Sequence, residues 1–213
     1  MPFASIGRRR WCMIALASVG AAFVAESRGV ADPAAVTPIQ ALCNALIGIM
    51  KAGHSTPFQQ RFATLGPVVD RVFDLPAVLQ VSVGPNWSSL PPDQQSTLET
   101  AFRRYTLANY VSNFDNFTGQ RFEVEPDTKS LPNGEQLAQT KIISASGESH
   151  ELDYVMRNVG GAWKAVDVLA DGSISRVAVQ RSDFRRLVAR GGAQALIESL
   201  NQKTNDLSGG TLT

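Results

Sequence analysis

The segment LDYVMRNVGGAWKAVDVLADGSISRVAVQRSDFRRLVAR, residues 152–190, decides how this chain folds. Leu152, Tyr154 and Met156 alternate with Asp153 and Val155, the two-residue period of a strand with one broad apolar face. Residues 158–161 hold two adjacent glycines, which allow the positive φ angles of a hairpin turn. The chain resumes at Trp163 as WKAVDVL, rich in strand formers, and stops at Asp171-Gly172. From there Ile174, Val177, Arg181, Phe184 and Val188 follow steps of three and four residues, the period of a helix. A hairpin followed by a helix that folds back on it makes a surface able to enclose something apolar.

Toward the C-terminus, Gly191-Gly192 breaks the helix. Ala195, Leu196, Ile197 and Leu200 then form a last amphipathic helix before an expected flexible tail at 208–213. Toward the N-terminus, Phe122 and Val124 alternate with charged residues in one strand. A turn at Pro132-Asn133-Gly134 leads to a second strand over 136–145. With the hairpin these make a four-stranded antiparallel meander. Before them the pattern is helical. Thr37 and Pro38 open a helix with the stripe Ile39, Leu42, Cys43, Leu46, Ile49 and Met50, which Gly53 ends. A second helix uses Phe58, Phe62 and Leu65 and is expected to break or kink at Gly66-Pro67. Short pieces follow through Val69 and Phe73, and Asp74 caps the helix that starts beyond it. The longest helix spans about 93–114. Its apolar residues, among them Phe102, Tyr105 and Tyr110, cover more than one stripe, so it should be buried on several sides. The expected class is α+β, with helices segregated onto one face of the sheet.

Arg8, Arg9 and Arg10 precede an uncharged, mostly apolar run over 11–25, and Gly29-Val30-Ala31 places small residues at a cleavage site. Residues 1–31 therefore read as a signal peptide, a run of 15 residues being short of the ~20 that span a bilayer. Its removal takes away four arginines and one glutamate, leaving 16 basic against 18 acidic residues, a net charge of −2. That balance excludes nucleic acid as an obvious electrostatic partner. One cysteine, Cys43, is left, so no internal disulfide is possible and a packed core must hold the domain over 32–207.

Catalytic signals are sparse. His54 and His150 stand far apart without neighbours at metal-ligand spacing, and Cys43 lies in an apolar stripe with nothing to lower its pKa. No phosphate loop, nucleophile elbow or dinucleotide fingerprint appears. Neither metal nor cofactor is expected. Asp167 interrupts Val166 and Val168 in a half-buried strand and has two readings. It is a catalytic acid or base in a small cone-like α+β enzyme or ligand binder, acting with Tyr154, or it pairs with an arginine such as Arg181 and ties the sheet to the helix. Arg181 is equally placed to meet a ligand headgroup.

The run Tyr154, Trp163-Lys164-Ala165-Val166-Asp167-Val168, Asp171-Gly172-Ser173-Ile174 and Arg181-Ser182-Asp183-Phe184, with Gly192, Leu196-Ile197, Leu200 and Lys203, resembles the MlaC, or toluene-tolerance, family. The abundance of Ala, Val and Arg suggests its hopanoid-associated branch, HpnM. The pattern departs from the family where Val166 stands for a usual tyrosine and Val179-Gln180 for a usual Asn-Tyr. The resemblance implies a periplasmic carrier that shields a phospholipid or hopanoid and passes it between membrane-bound transport components, with no catalytic residue. A pocket of that kind would be lined by Phe62, Leu65, Val69, Phe73, Phe102, Tyr105, Phe122, Leu152, Tyr154, Trp163 and Ile174, each of which suits an ordinary core equally well. A cargo-free adaptor bridging envelope proteins is the third possibility.

Overall fold

The computed structural model describes residues 32–212, so the signal segment expected at 1–31 lies outside the described residues. Five helices cover a curled antiparallel sheet. The helices are α1 (Val36–Ala52), α2 (Phe58–Val72), α3 (Leu75–Val83), α4 (Pro92–Asn113) and α5 (Arg176–Ser208). The strands are β1 (Arg121–Val124), β2 (Lys129–Ser130), β3 (Gln136–Ala138), β4 (Thr140–Ile143), β5 (Ser149–Val159), β6 (Ala162–Ala170) and β7 (Ile174–Ser175).

Seven strands replace the four expected, but they lie along few lines. Gln136 pairs with Met156 and Ile143 with Ser149, so β3 and β4 continue one register against β5 and are parted only at Gln139. On their far side β1 pairs with β4 and β2 with β3. The meander order therefore holds, and β7 adds a short edge to β6. Breaks of this kind let the sheet curl. β5 and β6 carry another, where the register shifts between Val155 and Met156 and Val166 is left unpaired. The hairpin turn is Gly160-Gly161, both at positive φ, as the segment demands.

The expected apolar face of β5 is the inner one: Tyr154 and Met156 are buried against the helices, as is Ala165 of β6. Across from them lie Ile39, Leu42 and Leu46 of α1, Leu65 and Val69 of α2, Phe102 and Leu107 of α4, and Leu196 and Leu200 of α5. Gly66-Pro67 does not break α2, which runs on to Val72. Proline removes one backbone bond, but the packing of Leu65, Val69 and Val72 outweighs a local propensity. Arg103 of α4 lies over Gly66, whose missing side chain leaves room, and forks onto Asp70 through two 2.7 Å bonds. α5 does turn at Gly191-Gly192, where Gly192 has a φ of 67°.

Asp167 shows how the sheet holds α5. Its carboxylate accepts from the backbone N–H of Val177 at 3.1 Å, from Val168 N–H at 2.7 Å and from the Ser175 hydroxyl. Ser175 Oγ in turn accepts from Ala178 N–H at 2.9 Å and caps the helix. The ion pair with Arg181 expected from the sequence does not form. A helix N-terminus offers unpaired N–H groups and a positive dipole end, which satisfy a carboxylate without an arginine. Asp167→Ala should lower unfolding free energy by about 1–3 kcal/mol in urea titration, with Asp167→Asn intermediate. Unchanged stability in both variants would remove this role.

Candidate functional site

A cavity of about 350 Å³ opens between α4 and the inner face of β5 and β6. That volume lies in the lower range of ligand pockets, roughly 300–1,000 Å³. α4 contributes the face Phe102, Thr106, Asn109, Tyr110 and Asn113, spaced by three and four residues as one side of a helix requires. The sheet contributes Leu152 and Tyr154 from β5 with Val168 and Ala170 from β6. These are cross-strand partners, since Leu152 pairs with Ala170 and Tyr154 with Val168, so all four project to one face. Leu75 and Val78 of α3, with Phe73 just before it, close one side, and the first turns of α5 close another. Phe73 is held there by the backbone, because its residue bridges Ala165 of β6 and the following Asp74 N–H donates to Ala165 O at 3.0 Å.

Aromatic rings join the helices to the sheet. Phe73 lies 5.8 Å from Tyr110 and 6.3 Å from Tyr154 between ring centres, Tyr110 stacks on Phe114 at 6.0 Å, and Phe114 meets Phe122 at 5.9 Å. The Tyr110 and Tyr154 side chains meet across the gap between α4 and β5, each within electrostatic reach of the other. Burial, which disfavours a phenolate, raises the pKa of both. Burial also pushes the Cys43 thiol up to about 12, so this thiol is inert at neutral pH, as its sequence setting implies. Only two lining residues, Asn113 and Arg176, are exposed, and they mark the mouth.

Of the residues expected to line a pocket, Phe73, Phe102, Tyr105, Leu152 and Tyr154 do so together, and Asp167 reaches the same wall. The others are elsewhere. Leu65 and Val69 are fully buried in the core, Phe62 packs on that core, and Phe122 meets the cavity only through Phe114. Trp163 is half-buried and its indole N–H donates to Asp32 Oδ2 at 3.0 Å. Ile174 is 50 % exposed on β7. Arg181 lines a separate groove on the other side of the sheet, with Val155, Val166 and Arg157. Sequence patterns do not single out Asn109, Asn113 or Arg176 as part of the wall. A signal was present on α4: Thr106, Asn109 and Asn113 interrupt with polar side chains a face that would be uniformly apolar in a core helix. Among the described residues no group of three or more His, Cys, Asp or Glu could hold a metal ion. His54 meets Asp115 at 3.4 Å on the surface.

Helices laid over a curled antiparallel sheet, with an apolar cavity between them and a polar mouth, define an α+β protein built around a pocket. Residues 40–202 match the MlaC protein family, and the chain belongs to that family. The toluene tolerance protein ttg2D of Pseudomonas putida is 25 % identical over 169 residues, covering 75 % of this chain and 76 % of that protein. The solved phospholipid-binding protein of Ralstonia solanacearum, in complex with a phospholipid, has the same fold. Its TM-score is 0.70 at 18 % identity, over 82 % of this chain and 98 % of that one.

The buried acids make stability sensitive to alkali. Below about pH 7.5 folded and unfolded chains both keep Cys43, Tyr110 and Tyr154 protonated, an ordinary thiol titrating near about 8.5 and a phenol near about 10. Above it the unfolded chain releases protons that the folded chain retains, so unfolding free energy falls as pH rises, by up to about 1.4 kcal/mol per pH unit for each group. Urea midpoints measured from about pH 8 to 11 should decline, and Tyr110→Phe or Cys43→Ala should flatten part of the decline. A level profile in the unsubstituted protein would contradict the burial of these groups.

Proposed function

We propose that this protein is a lipid carrier of the bacterial periplasm, exported by its N-terminal segment. It shields the hydrocarbon of a phospholipid in the cavity under α4 and moves it between membrane-bound transport components. The single observation that supports this most is the cavity itself: walled mainly by apolar and aromatic residues, with its exposed polar residues Asn113 and Arg176 at the mouth, and roofed by a helix whose cavity face carries both kinds of residue. Sequence resemblance, family membership and the phospholipid held by the Ralstonia neighbour point the same way. Burying hydrocarbon is worth ~0.8 kcal/mol per methylene, so a chain of ordinary length does not cross water unassisted at a useful rate. A phospholipid suits the site better than a hopanoid, since rigid fused rings do not thread a cavity closed in by Phe73, Tyr110 and Tyr154 as a flexible chain does.

The enzyme reading loses its proposed pair. The carboxylate of Asp167 is taken up by the start of α5, and burial raises the pKa of Tyr154, disfavouring the phenolate that base catalysis would need.

Protein purified from cells after export should yield phospholipid on organic extraction, and the emptied protein should take labelled phospholipid from vesicles. Absence of lipid in both experiments would end the carrier reading. Phe73→Ala should widen the cavity toward the neighbouring groove that Phe73 and Leu75 also line. It should lower stability by about 3–5 kcal/mol while altering the chain lengths retained, read by mass spectrometry of the extract.

A further inference from the structure

The cavity wall carries one carboxylate, Asp167, and one cation, Arg176. Asp167 is fully engaged by Val168, Ser175 and Val177. Arg176 is not: among the described residues it has no carboxylate within salt-bridge distance and no hydrogen-bond acceptor, whereas Arg103, Arg121, Arg157 and Arg186 each hold an acid. Its position does not call for a cation. It is the first residue of α5, at the positive end of the helix dipole, where a cation is mildly unfavourable and an acid is preferred. It is exposed and stands at the mouth with Asn113, on the wall of the same cavity that Tyr110 lines. Gln180, one turn further along α5, lines the same wall and adds an amide beside it.

We infer that Arg176 selects the ligand by its anionic group, pairing with the phosphate of a lipid whose acyl chain occupies the cavity below. This rests on the carrier reading and sharpens it: the cargo bears a phosphate ester next to its chains, and a neutral amphiphile of the same chains is a poor ligand. A guanidinium and a phosphate form charge-assisted bonds, stronger than those between neutral groups. Arg181, the arginine that sequence patterns bring forward for a headgroup, opens onto a different groove and is not part of this site.

The test presents the purified, delipidated protein with vesicles containing labelled phosphatidylglycerol or labelled diacylglycerol of identical chains, which differ in the phosphate-bearing headgroup. The unsubstituted protein should take up phosphatidylglycerol with at least about tenfold preference, Arg176→Gln should lose most of that preference while keeping diacylglycerol uptake, and Arg176→Lys should restore part of it. Because Arg176 is exposed and unpaired, these variants should keep the parent's thermal midpoint. An undiminished preference in Arg176→Gln overturns the inference and leaves the carrier reading standing. Uptake of neither lipid by the unsubstituted protein overturns both. Glycerol phosphate should not compete at concentrations far above those of the lipid, and if it does, the site is one for a free phosphate ester and the inference fails.

Discussion

The meeting of Tyr110 and Tyr154, with Phe73 against both rings, is the constraint on which the rest of the site depends. A phenol hydroxyl drawn away from water is costly without polar company, and each of these lies within electrostatic reach of the other. Tyr110 belongs to α4 and Tyr154 to β5, so the bulk of the two side chains sets how closely the long helix can approach the sheet. Two apolar residues at these positions would be free to settle together and close the gap. Two tyrosines hold it at the width of their rings, with Phe73 wedged against both. The cavity beside them is a consequence of that spacing.

A spacer works only if the elements on each side are anchored independently. On the sheet side, Tyr154 stands in the long central strand, paired along one edge to β3 and β4 and along the other to β6. On the helix side, α4 is locked to α2 by the Arg103–Asp70 fork and packs against the first part of α5 through the Phe102–Phe184 rings, 5.9 Å apart. α5 is fastened to the sheet by Asp167. The charged contacts among these are half-exposed and each is worth little alone. The apolar core carries most of the stability, and the polar contacts decide where its pieces stop.

The period-two and period-four patterns over residues 152–190 carried the hairpin, the helix and the meander order into view, because the buried face of each element is regular. What they could not carry was anything set by partners distant in the chain. The breaks at Gln139 and Val166 depend on pairing with β5, and α2 runs through Pro67 because of neighbours that the local sequence does not mention. For the site the division is similar. Phe73, Phe102, Tyr105, Leu152 and Tyr154 were legible as apolar residues on inward faces, but Leu65 and Val69 have the same signature and are simply core. Burial alone does not separate a wall from a filling. Arg176 was hidden because an exposed arginine is ordinary until the fold places a cavity beside it.

For the proposed carrier, the same geometry bears on how a held lipid would be released. Hydrocarbon shielded from water at ~0.8 kcal/mol per methylene is bound strongly relative to water, yet a bilayer offers a comparably apolar surrounding. Exchange between the cavity and a membrane is therefore close to neutral in the hydrocarbon part, whichever way the lipid moves. The remaining bias falls on groups at the mouth. There, charges are screened by solvent and contribute modestly, enough to distinguish one headgroup from another without trapping the chain. An arginine buried beneath the tyrosines would hold a phosphate far more tightly and would leave a costly unpaired charge when empty. In the proposed carrier, an arginine at the exposed start of α5 would keep its hydration between cargoes, so that the empty protein would remain stable and the loaded one able to unload.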